Sequence, residues 1–102
     1  MLIRDKVGEE IQKAIEKVAD SEVEIRILTN EEFFEAIMSK IKSELDVLEK
    51  TRSLDSLAEI VELVEWIQVA LGTTNLQDII EERAEKLGLY WKKYYIKEKT
   101  EK

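Results

Sequence analysis

Residues 32–71, EFFEAIMSKIKSELDVLEKTRSLDSLAEIVELVEWIQVAL, decide the fold. The stretch reads as two long helices joined by a short turn, Thr51-Arg52-Ser53. In the first helix Phe34, Ile37, Met38, Ile41, Leu45 and Leu48 recur at steps of three and four, one apolar stripe. Glu44 sits at the edge of that stripe. In the second helix, 54–71, Leu57, Ile60, Val61, Val64, Ile67 and Leu71 make one apolar face. Leu63, Trp66 and Ala70 form another row roughly opposite, at about 100° per residue. Glu59 falls on that second row. A helix apolar nearly all round is normally buried, and a buried carboxylate needs a partner, a divalent cation among the candidates.

Outward from this pair, residues 4–20 repeat Val7, Ile11, Ala14, Ile15 and Val18 on one face, which predicts a first helix. Residues 22–28 alternate apolar and charged residues, the period of an extended segment. A lone strand needs a partner, so a connector packed on the helices is the other reading. Thr29 and Glu32 fit a capping box, and Ser53 and Gly72 fit the two ends of the third helix. After a turn at 73–75, with Asn75 as a cap, residues 76–87 predict a fourth helix with Leu76, Ile79, Ile80, Ala84 and Leu87 facing inward. Gly88 closes it. Four of the seven aromatics then crowd into Tyr90, Trp91, Tyr94 and Tyr95, interleaved with Lys92 and Lys93. An apolar tail strapped across the helices or a partner subunit accounts for them. Residues 97–102 read as a charged, frayed end.

With 102 residues and no internal linker, a single domain spanning 1–102 is expected. A dimer would bury more than one chain can alone, and the two-faced third helix makes a monomer the least expected state. The net charge of −7 argues against nonspecific nucleic-acid binding. No run reaches membrane-spanning length and no signal-like core opens the chain, so a cytoplasmic, membrane-free protein is expected. Cysteine and histidine are absent. That removes thiolate catalysis, Ser-His relays and Cys or His zinc sites, and leaves carboxylates, Lys, Arg, hydroxyls or an oxygen-held metal.

The opening Ile3-Arg4-Asp5-Lys6-Val7 resembles the "VRDKI" start of a subfamily of MazG-like, or phosphoribosyl-ATP-pyrophosphohydrolase-like, proteins. The order of elements is similar, through Arg26-Ile27-Leu28 and Glu31-Glu32-Phe33. The ending from Lys86 to Ile96 is similar to the family's "KRGGFxKRIYL". The resemblance spans nearly the whole chain. It implies an all-α fold, a four-helix bundle with a short extended segment near 22–28 and an aromatic C-terminal tail. It further implies a homodimer or higher oligomer, and Mg²⁺-dependent (or Mn²⁺-dependent) cleavage of a nucleoside triphosphate to the monophosphate and pyrophosphate. The family's acids lie on EExxE and ExxD. Residues at this spacing share a helix face, so two facing helices can gather carboxylates around a hard cation.

On those motifs fall Ser43-Glu44-Leu45-Asp46-Val47 and Ser56-Leu57-Ala58-Glu59, so Ser43, Val47 and Ser56 stand where the family carries acids. The resemblance therefore assigns Glu44 and Glu59 to the metal and Glu62 to a ligand or to the base that orients water. Arg4, Lys6, Arg83, Lys92 and Lys93 would contact phosphates. Leu87 stands where the family has arginine, and Asp46 or Glu49 could replace a missing ligand. Two other readings stay open: a non-catalytic relative that binds a nucleotide or assembles, and a helical interaction module. Structural roles for the acids also remain, Glu44 pairing with Lys40, and Glu59 with Arg4 or Lys6 of another subunit.

Overall fold

The computed structural model describes residues 1–18, 20–73 and 75–99. Within them the chain is all-helical: α1 Asp5–Glu16, α2 Asn30–Thr51, α3 Leu54–Leu71 and α4 Leu76–Leu87, with no strand. Two compact units divide the chain, Met1–Gly72 and Thr73–Lys102.

The first unit is built on α2 and α3, which pack along one another as an antiparallel hairpin. Only Arg52 and Ser53 connect them. Thr51 itself belongs to α2, and Arg52 takes the left-handed conformation (φ 56°) that ends the helix. The Ser53 side chain accepts from the Asp55 backbone N–H and starts α3, and Gly72 at φ 68° stops it. At the other end of the hairpin the expected capping box is formed. Thr29 Oγ1 accepts from the Glu32 N–H at 3.2 Å, and Glu32 Oε1 accepts from the Thr29 N–H at 3.1 Å. This backbone hydrogen bond, reinforced by Arg26 at 2.8 Å, holds the Glu32 carboxyl below the usual carboxylate range.

Ile37 is completely buried, and Leu63 and Ser56 nearly so. The burial of Ser56 and Leu63 shows which of the two apolar rows of α3 turns inward. The row of Leu63 and Ser56 meets α2, while Leu57, Val61, Val64 and Leu71 stand exposed. The physical reason is that α3 carries two apolar faces and α2 covers one.

Two further expectations change. α1 stops at Glu16 rather than running to Asp20, its last turn tightened by Lys17 N–H to Ala14 O and Val18 N–H to Ile15 O. Val18 is exposed, so apolar periodicity gives no reason to continue; Ala19 lies outside the described residues. Residues 22–28 form a connector, not a strand, because no second strand pairs with them among the described residues. Ile25 and Leu28 are half-buried and Ile27 is exposed.

In the second unit α4 has the expected bounds but buries none of its side chains. Ile79, Ile80 and Leu87, expected inside, are exposed. Asn75 precedes the helix without capping it; its Oδ1 accepts from Thr73 Oγ1. Beyond Gly88 the chain turns where the Lys93 N–H meets Tyr90 O, with Tyr90, Trp91, Tyr94 and Tyr95 exposed. The rest of the expected turn, at Thr74, and the end of the charged tail, 100–102, lie outside the described residues.

Two substitutions measure this frame. Ile37→Ala should lower unfolding free energy by about 2–5 kcal/mol, the range for emptying a fully buried aliphatic site. Thr29→Ala should cost about 1 kcal/mol through the lost cap. Chemical denaturation followed by circular dichroism checks both.

Candidate functional site

The short segment ahead of α1 lies against the hairpin and forms a cleft with it. Arg4 is the residue preceding α1, and its carbonyl accepts the Gly8 N–H at 2.9 Å, which fixes its backbone at the helix start. From there its side chain reaches α3. Guanidinium NH1 donates to Glu62 Oε2 at 2.7 Å and NH2 to Glu62 Oε1 at 3.0 Å, a two-pronged fork. NH2 also donates to Glu59 Oε2. Glu59 and Glu62 are three apart on α3 and so share the edge that faces Arg4. Lys40 of α2 closes the arrangement, with Nζ 3.7 Å from Glu59 Oε1 and 3.2 Å from the Leu2 carbonyl that it serves as donor.

Leu2, Ile3, Phe33, Leu63 and Trp66 complete the cleft, whose free volume is about 230 Å³. The rings of Phe33 and Trp66 stand 6.4 Å apart at 60°, a tilted aromatic pair. One wall is thus aromatic and the other charged.

The electrostatics follow from the fork. Hydrogen bonds from Arg4 hold the Glu62 carboxyl below the usual carboxylate range, against a smaller opposing effect of burial. The same bonds, to Glu62 first and then Glu59, raise the Arg4 guanidinium, which stays charged at every working pH.

Of the residues singled out from sequence, the cleft gathers Arg4, Glu59 and Glu62. Glu44 lines a neighbouring hollow with Glu59, Ser56 and Lys40. Lys6 is exposed on α1. Arg83 is on α4, and Lys92 and Lys93 follow it, all three in the second unit and exposed. Asp46 and Glu49 are exposed on α2. Among the described residues no three Asp or Glu side chains come close enough to hold a metal ion. The residues present therefore do not fit the Mg²⁺ set that the resemblance implies. The cations that meet Glu59 are Arg4 and Lys40 of the same chain, so no second subunit is needed to satisfy it.

Phe33, Lys40 and Trp66 are cleft residues that sequence reasoning did not assign there. Phe33 lies four before Ile37 and Lys40 three after it, so both share the border of the buried stripe, a signal that was present. Family models, characterised proteins and solved structures were all compared with this chain, and none matches.

A pH titration reads the fork directly. Glu62 is depressed in the folded chain, so its contribution is complete above the ordinary value of 4.5 and fades as pH falls below that. Stability should fall on acidification through this range, and Arg4→Gln should remove part of that dependence. An equal pH slope in wild type and variant would count against the fork.

Proposed function

We propose that the chain is a MazG-like helical protein that binds a nucleotide in the Arg4 cleft. The observation that carries the reading is the pairing, in one cleft, of an aromatic wall with two cations. Phe33 and Trp66 offer ring faces to a base, and each stacked base is worth roughly 1–3 kcal/mol. Arg4 and Lys40 offer donors to phosphate oxygens, and the Arg fork suits two oxygens at once. In the free chain Glu59 and Glu62 occupy those donors. A phosphate group competes for Arg4 and, on taking it, leaves Glu62 without its partner and Glu59 with Lys40.

A second reading, pyrophosphohydrolase activity, is favoured by Glu62 lining the same cleft in its ionised form. Its role would be to accept a proton from the water that attacks the α-phosphorus, with pyrophosphate departing and a nucleoside monophosphate remaining. Mg²⁺ or Mn²⁺ belongs to this reading and is tested with it; the carboxylates as arranged, held by Arg4, support binding first.

Titration calorimetry with a panel of nucleoside triphosphates, beside a pyrophosphate-release assay with and without Mg²⁺ or Mn²⁺, separates the two. Binding should occur, weakened about tenfold or more by Lys40→Ala and by Trp66→Ala. Metal-dependent turnover that Glu59→Ala and Glu62→Ala abolish would establish the hydrolase reading. Neither binding nor turnover from folded protein would discard both.

A further inference from the structure

Residues 87–97, LGLYWKKYYIK, run from the last residue of α4 into the tail. They comprise seven apolar or aromatic residues, three lysines, one glycine and no acid, in a chain whose 23 acids outnumber its 16 bases. All seven apolar side chains are between 68 and 94% exposed. Single surface hydrophobics are ordinary, but seven within eleven residues mark a contact surface. The backbone shapes it. The Lys93 N–H donates to Tyr90 O at 3.0 Å, a tight turn with Trp91 and Lys92 at its tip, and Lys93 takes the left-handed conformation (φ 58°).

We propose that this segment is a reversible anchor for a membrane surface that carries anionic lipids. Three features select that partner. The first is the aromatic set. Three tyrosines and a tryptophan, with no phenylalanine among them, each join an apolar body to a polar tip. These are the residues that settle between hydrocarbon and headgroups. The second is the lysines. Lys92 and Lys93 sit between the aromatic pairs rather than around them. Lysine is depleted from the core of protein interfaces. At a membrane its stem lies along the acyl boundary while the ammonium reaches the headgroups. The third is the aliphatics. Leu89 and Ile96 offer burial that base stacking does not use, and a single-stranded nucleic acid would be held by three lysines against a chain at −7.

Charge complementarity is local here. The acids lie outside the segment, and beyond about 8 Å at physiological salt their repulsion by an anionic surface is largely screened. Depth is limited as well. No helix of the described residues is long and apolar enough to cross a membrane. The segment therefore lies among the headgroups, where water still satisfies the backbone groups outside the turn. The membrane-free expectation rested on spanning length, which this mode of attachment does not need. The inference does not rest on nucleotide binding, and it gives Lys92 and Lys93 lipid headgroups rather than nucleotide phosphates.

Sedimentation of the full chain with large unilamellar vesicles reads the anchor directly. Vesicles of phosphatidylcholine with phosphatidylserine should carry the wild type down. Its affinity should fall on the order of a hundredfold on phosphatidylcholine alone, about fivefold per lysine. Lys92→Ala combined with Lys93→Ala should cost about 20- to 30-fold on the mixed vesicles. Trp91→Ser should cost about tenfold or more, with helical circular dichroism unchanged because Trp91 follows α4. In Trp66→Phe, Trp91 is the sole tryptophan, and its emission should move to the blue when mixed vesicles are added. Sedimentation of the wild type stands even where a variant fails to fold. Wild type left in the supernatant at every lipid concentration would overturn the proposal, as would full affinity in the lysine and Trp91 variants. Binding to a single-stranded oligonucleotide, with none to vesicles, would overturn it in favour of nucleic acid.

Discussion

The fork of Arg4 on Glu59 and Glu62 is the contact on which the rest of the first unit depends. It fastens the segment ahead of α1 to the middle of α3, across 55 and 58 residues of sequence. Without it, among the described residues, Leu2 and Ile3 keep the Lys40 hydrogen bond and apolar contact to hold them over the cleft. The fork also decides the chemistry. Two carboxylates three residues apart on a helix repel each other, and the guanidinium between them offsets that repulsion. A partly exposed ion pair of this kind contributes little to stability by itself. Its importance is geometric: it defines one wall of a small cleft whose other wall is Phe33 and Trp66.

Where helices begin and end was legible because caps are local chemistry. Thr29 with Glu32, Ser53 and Gly72 each act through neighbours within a few residues, and each acts as its residue type suggests. The bounds of α3 followed from the same signals, whereas Asn75 marks the start of α4 without capping it. Which face of α3 turns inward was not legible. Leu57, Val61 and Val64 are as apolar as Leu63, and periodicity cannot say which row a given neighbour will cover. The end of α1 was missed for a related reason: Val18 continues the pattern but finds nothing to bury it.

The site was legible in part. Arg4, Glu59 and Glu62 were all singled out, Glu59 because an acid in an apolar row must be answered by something. That the answer is Arg4 of the same chain depends on how the first four residues fold back, a long-range arrangement that no local spacing encodes. Lys40 illustrates the limit. Its i+4 neighbour Glu44 suggested a helix-surface pair, yet the ammonium reaches across to Glu59.

The two-residue link between α2 and α3 also governs how the molecule is made. Closing so short a loop costs little chain entropy, and the contacts it brings together are near one another in sequence. Low contact order of this sort gives rapid folding, on microsecond to millisecond timescales. The hairpin can therefore assemble as soon as a ribosome releases Leu71. Leu57, Val61, Val64 and Leu71 of α3 stand exposed on the hairpin so formed, so it meets water with an apolar flank from the moment it closes.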